Sequence, residues 1–213
     1  GLCASPRYRQ DRSPAGPWLA RLFLPWAVAG GEYAICALGY VAAYELFSKG
    51  EAWSARLRGL ALAAAPAALY LGAHVTLGYG AKGSVVYIGP FDNPGHFAAE
   101  ALLRIPAMIA TEFVLEPGEE VYAMILLRSP KIFVGLIPIV VLIALVVDSW
   151  RRSDADGRRL LGTAGLGMLL AMLPLVGTVP SVRLLLIASF GGSALLGAII
   201  WDSGLRLLAG RTV

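Results

Sequence analysis

Long apolar runs alternate with short polar breaks along this chain, and within each run the apolar residues are nearly continuous. Residues 132–150 read IFVGLIPIVVLIALVVDSW, and Arg151 and Arg152 follow at once. Two further runs occupy 160–177 and 184–202. Only Asp148 and Asp202 interrupt the three, each near an end. A run of ~18–19 residues makes ~27–28 Å of helix, about one hydrocarbon core. Backbone inside lipid must satisfy its own hydrogen bonds, so these runs predict spanning helices. A fourth span is expected at 59–77 (GLALAAAPAALYLGAHVTL), with Pro66 as the place for a kink.

Residues 18–47 are apolar too, but Gly30-Gly31-Glu32 breaks them at the centre. As one helix, 22–47 would be about 39 Å long and would need strong tilt. The alternative is two short helices, 18–30 and 32–47, that turn back at the break. Arg7, Arg9, Arg12 and Arg21 precede the run, and Lys49, Arg56 and Arg58 follow it. Basic residues mark the cytoplasmic side, so both flanks fall inside and the hairpin is favoured. Arms this short suit a re-entrant pair shielded by protein or a wet cavity.

Between the spans lies an outer loop, 78–131, with six acidic and four basic residues. It opens with the Gly-rich LGYGAKGSVVYIGP, whose Gly78, Gly80 and Gly83 match no phosphate-binding loop because no helix follows in register. Asn93-Pro94 then reads as a helix start, Asn at the N-cap and Pro at the first helical position. Phe97, Ala101, Ile105, Met108, Ile109 and Phe113 are taken as one face, with Glu100, Arg104 and Thr111 on the other. Glu100 and Arg104 form a favourable i,i+4 pair. The pattern predicts an amphipathic helix over 94–114, kinked or divided at Pro106 and lying along the outer membrane face.

Charge fixes the orientation. Thirteen basic residues fall in segments assigned inside and five, Lys82, Arg104, Arg128, Lys131 and Arg183, in segments assigned outside. The chain is 57% apolar and 15% charged, where a soluble domain carries about 25% charged residues. The net charge of +4 therefore reads as helix orientation and no nucleic-acid partner is expected. The expected fold is all-α: a polytopic transmembrane helical bundle, with the short hairpin and the outer interfacial helix. Residues 1–17 are a basic tail or linker and 18–213 the membrane domain, of an inner-membrane, multi-pass protein. The chain begins at Gly1 without an apolar leader, which suggests a piece of a longer protein.

No complete catalytic constellation stands in the sequence. Glu32 is one candidate, since a carboxylate in an apolar run is costly and hints at function; it equally fits a hairpin tip near the membrane surface. Arg183, after Pro180-Ser181 at the start of the last span, is a second. An Arg at the outer face can bind a phosphate or carboxylate, or can snorkel and anchor the helix end. His74 and His96 sit on separate elements and make no metal site. Asp92, Glu100, Glu112, Glu116, Glu119 and Glu120 read as a solvated acidic surface. Cys3 and Cys36 lie in different settings, so neither a disulfide nor a metal site is expected. Small residues at Gly167/Ala171, Ala188/Gly192 and Ser193/Gly197 allow close helix packing.

The segments LFLPWAVAGGEYAICALGYVAAYELF, LGYGAKGSVVYIGP and TVPSVRLLLIASFGGSALLGAII, in this order, resemble a family of uncharacterised bacterial polytopic membrane proteins. That family in turn is similar to the C-terminal part of GT-C-type glycosyltransferases. The resemblance covers most of 18–202 and implies transfer of a sugar from a polyprenyl-phosphate carrier, with the bilayer and that lipid-linked sugar as partners. It implies no cofactor, and a divalent metal stays open. In such enzymes the catalytic acid lies in the first outer loop, which has no counterpart here, so the catalytic residue stays unknown. Glu32 matches the hairpin-break position loosely, and Arg183 is the candidate phosphate contact. The alternative is a non-catalytic membrane module or transporter fragment.

Overall fold

The computed structural model describes residues 26, 33–48, 52–78, 87–114, 118–127 and 132–209. The described residues are helical, with no strand among them. In chain order they form α1 (Tyr33–Cys36), α2 (Leu38–Phe47), α3 (Trp53–Thr76), α4 (Pro94–Val114), α5 (Gly118–Leu126), α6 (Ile132–Arg152), α7 (Ala155–Met172) and α8 (Ala188–Ala209). Two 3-10 segments, Pro174–Gly177 and Val182–Leu186, make the turn between α7 and α8. The first arm of the expected hairpin and its break at Gly30-Gly31-Glu32 lie outside the described residues, Trp26 apart.

Local chemistry sets the ends of these helices. Asn93 caps α4: the His96 backbone N–H donates to Asn93 Oδ1 at 3.0 Å, and Pro94 follows at the first helical position. Asp154 caps α7 in the same way, accepting from the Gly157 N–H at 2.8 Å. Helix α3 ends at Gly78, whose φ of 73° lies in the left-handed region that glycine enters without strain. Neither Pro66 nor Pro106 divides its helix: α3 is continuous through Pro66 and α4 through Pro106.

The centre of the bundle is α7, packed most extensively against α2 and α8, with α1, α6 and α4 also touching it. Its core holds Cys36, Met108, Met168, Met172 and Leu185. Glycine lets these helices approach. A Cβ on Gly39 would stand 2.6 Å from the Ala171 backbone nitrogen, and one on Gly167 would overlap the Tyr40 ring. Two of the three small-residue pairs, Gly167/Ala171 and Ala188/Gly192, are buried in these contacts. The third differs: Ser193 is exposed and a Cβ on Gly197 would meet open space.

Among the described residues, two stretches, Trp53–Thr76 and Ala155–Gly177, are long and apolar enough to cross a membrane. They are covered very differently. Half of the apolar window of the second is buried, as befits a central helix, but only 11% of that of α3. The outward sides of α3, α6 and α8 carry Leu62, Leu69, Val140, Ile143, Phe190 and Ile200, all exposed.

Helix α4 departs from its expected faces. Arg104, Met108 and Thr111 lie within ~60° of one another at ~100° per residue, so they share one side of the helix. That side is buried: Arg104 is 4% exposed and Thr111 5%. The opposite side, Ala98, Ala99, Leu102 and Pro106, is exposed, Leu102 at 77%. The polar Arg104 and Thr111 thus point into the protein beside Met108, and the apolar Leu102 points away from it.

Candidate functional site

Helix α4 carries two polar clusters, both against the turn that joins α7 to α8. In the first, Arg104 is the hub. Its Nε donates to Glu100 Oε2 at 2.8 Å, one turn back on the same helix. Its Nη1 donates to the carbonyl oxygens of Val176 and Thr178, at 3.0 and 2.7 Å. The Tyr122 ring of α5 lies 5.2 Å from the guanidinium carbon, and the Tyr122 hydroxyl donates to Glu100 Oε2 at 2.6 Å. The two carbonyls lie at the end of the Pro174–Gly177 segment, where helix-terminal oxygens lack intrahelical partners.

The electrostatics follow from that geometry. Burial pushes the Glu100 carboxyl up, but the Tyr122 hydroxyl and the Arg104 guanidinium outweigh it and hold the carboxyl below its ordinary value. Burial and the bonded carboxylate push the Tyr122 phenol above its ordinary value. The acidic residues of this segment were expected to form a solvated surface. Glu100 does not, because Arg104 draws it into the packed side of α4. With its guanidinium engaged on three sides, the cluster has little capacity left for a ligand and acts as a clamp.

The second cluster lies two turns along α4. Ser189 Oγ, in the first turn of α8, stands 2.8 Å from Glu112 Oε2 and 2.9 Å from the Leu185 carbonyl oxygen. Its single hydrogen can serve either acceptor. The Glu112 carboxylate fits because position 192 is glycine: a Cβ there would come within 2.6 Å of Oε1. Glu112 has no ion pair among the described residues. Beside it, the Tyr40 hydroxyl accepts from the Gly191 N–H at 2.8 Å and faces the carbonyl oxygens of Ala188 and Ile187 at 2.9 and 3.0 Å. Tyr40 thus ties α2 to the start of α8. This cluster combines an unpaired carboxylate with hydroxyls from two other helices, a setting that can accept a proton or a cation or bind a hydroxyl group.

Arg183 stands on the second 3-10 segment, exposed, with no partner among the described residues. Glu32 lies outside the described residues, so the two candidates cannot be placed relative to each other. His96 is exposed, and His74 stacks loosely on Tyr70 at 5.9 Å. No group of three His, Cys, Asp or Glu that could hold a metal occurs among the described residues. Sequence reasoning passed over Glu112 because it was one of six acids in one loop. The available signal was its place on the α4 side that also carries Arg104 and Thr111.

Comparison of the chain with protein-family models, with curated proteins and with solved structures gives no match.

Proposed function

We propose that this chain is a multi-pass integral membrane module, with α3, α6, α7 and α8 as spans and α4 and α5 near the outer face. The carrying observation is the arrangement of surface and interior: Leu69, Val140, Phe190 and Leu102 point outward while Arg104, Thr111 and Glu112 are packed among helices. Contiguous apolar surface of this kind needs lipid, and polar groups in a membrane bundle turn inward. Trp53 and Trp150 support the orientation, because both fall at the helix ends that also carry arginines, where amphipathic rings favour the interface. Positive-inside bias then puts 151–159 on the cytoplasmic side of the inner membrane. The chain should stay with the membrane through alkaline carbonate washing and leave it only in detergent. Release by carbonate would sink this reading.

Within that membrane reading, the resemblance to GT-C-type enzymes makes the chain the C-terminal portion of a glycosyltransferase that uses a polyprenyl-phosphate sugar. The observation favouring it is Arg183, a free guanidinium beside the outer turn, suited to a donor's phosphate by two parallel hydrogen bonds. Arg183→Ala should weaken binding of such a donor about tenfold or more, as loss of a charge-assisted bond of ~1.5–3 kcal/mol requires. Unchanged binding in the full-length protein would remove this reading and leave the non-catalytic membrane module.

A further inference from the structure

The end of the bundle opposite Arg183 gathers arginines from three helix ends. Arg56 and Arg58 lie in the first turns of α3, Arg151 and Arg152 in the last turn of α6, and Arg158 and Arg159 in the first turns of α7. Ser48, the C-cap of α2, ties them together: Arg159 Nη2 donates to Ser48 Oγ at 3.4 Å, and α3 begins five residues after Ser48.

Two acidic side chains at this end are already engaged. Asp148 is taken by Arg152 at 2.6 Å, and Asp154 caps α7. Arg58 turns to the Ser54 carbonyl, and Arg158 to those of Trp150 and Arg151. Arg56, Arg151 and Arg159 remain, and of these Arg56 and Arg159 each lie over an aromatic ring: Arg56 5.2 Å from the Trp53 centroid, Arg159 5.0 Å from that of Tyr44. A ring holds a guanidinium by its flat face and leaves the edge donors free. The Arg56 Nε is buried and has no acceptor among the described residues. A buried donor without an acceptor is costly and marks a place where a further group is missing.

We propose that Arg56 and Arg159 bind the phosphodiester headgroup of an anionic phospholipid at the inner end of the bundle. The guanidinium edges supply paired donors for phosphate oxygens, and Trp53 and Tyr44 lie at headgroup depth. This rests on the membrane reading, which supplies the lipid. It goes beyond positive-inside orientation, which needs only charge, because it assigns the binding to two of the six arginines.

The test reconstitutes the whole chain into vesicles of phosphatidylcholine with one fifth phosphatidylglycerol, extracts it in mild detergent and counts retained lipids by native mass spectrometry. Phosphatidylglycerol should be retained in preference to phosphatidylcholine. Arg56→Gln with Arg159→Gln should reduce that retention about tenfold or more, through the loss of charge-assisted hydrogen bonds to the phosphate. Arg58→Gln with Arg151→Gln removes the same charge and should change it less than about twofold; an equal loss would mean diffuse attraction and overturn the site. Arg56→Lys with Arg159→Lys keeps the charge, should fold, and should fall between wild type and the Gln pair. Retention at wild-type level in both the Gln and the Lys pairs would overturn the proposal. Displacement of the lipid by millimolar inorganic phosphate would assign the site to free phosphate and equally overturn it. Failure to enter vesicles of either composition would defeat the membrane reading, whereas entry into both without preferential retention defeats this site alone.

Discussion

Arg104 Nη1 reaches the carbonyl oxygen of Thr178 at 2.7 Å, across 74 residues of sequence. This bond and its neighbour to Val176 pin α4 to the turn between α7 and α8. Replacing Arg104 with Met would leave the Glu100 carboxylate and two carbonyls without their donor in a packed setting. Removing one member of a buried ion pair costs ~3–5 kcal/mol. Thermal unfolding in detergent should show that loss for Arg104→Met, and part of it should return when Glu100→Gln is added. A single variant as stable as wild type would contradict the clamp.

The same clamp should respond to pH at both extremes. The Glu100 carboxyl titrates below its ordinary value of 4.5, so its contribution is present above pH 4.5 and is lost as pH falls through the depressed value. Tyr122 titrates above its ordinary value of 10.0, so its contribution is present below pH 10 and is lost as pH rises through the raised value. Unfolding midpoints of wild type and Glu100→Gln should therefore converge on acidification below pH 4.5. Tyr122→Phe should narrow its gap to wild type above pH 10. Gaps that stay constant across both windows would refute the linkage.

The start of α4 was legible because its signal is local. Asn93-Pro94 marks the start of α4 through one side-chain cap and one missing N–H, and both operate within four residues. The faces of α4 were not legible, because an apolar and a polar side mean opposite things in water and beside lipid. Arg104 reads as surface from its charge alone; only the carbonyls of Val176 and Thr178, supplied by a distant turn, make its burial affordable. Tyr40 likewise gives no sign in its own helix that it holds the first turn of α8. Gly167 and Gly192 were half legible: small-residue spacing points to close packing, but not to which partner comes near.

Glycine packing makes a paired prediction. Gly39→Ala places a methyl group 2.6 Å from backbone, which cannot move aside as a side-chain tip can. Overpacking of this kind costs ~1–3 kcal/mol, and α2 should loosen from α7. Gly197→Ala meets nothing within 4 Å and replaces the poorer helix former, so it should be neutral or gain up to about 1 kcal/mol. Comparison of unfolding midpoints in one detergent checks both. Equal effects of the two changes would rule out the tight α2–α7 contact.

Sidedness gives the last prediction. Asp92, just before the start of α4, and Asp156, in the first turn of α7, are both exposed. In the membrane reading they lie on opposite sides, because α6 carries the chain from the outer segment to the arginines at 151–159. Asp156 is the better probe of that inner loop than Asp154, whose side chain caps α7 and whose loss would cost ~1 kcal/mol. Cys36 is buried and should stay silent, and Cys3 is replaced by Ser. In intact cells, an impermeant maleimide should label Asp92→Cys and leave Asp156→Cys untouched until the membrane is opened. Labelling of position 156 from outside with 92 protected would invert the topology. Labelling of both from outside would remove α6 as a span.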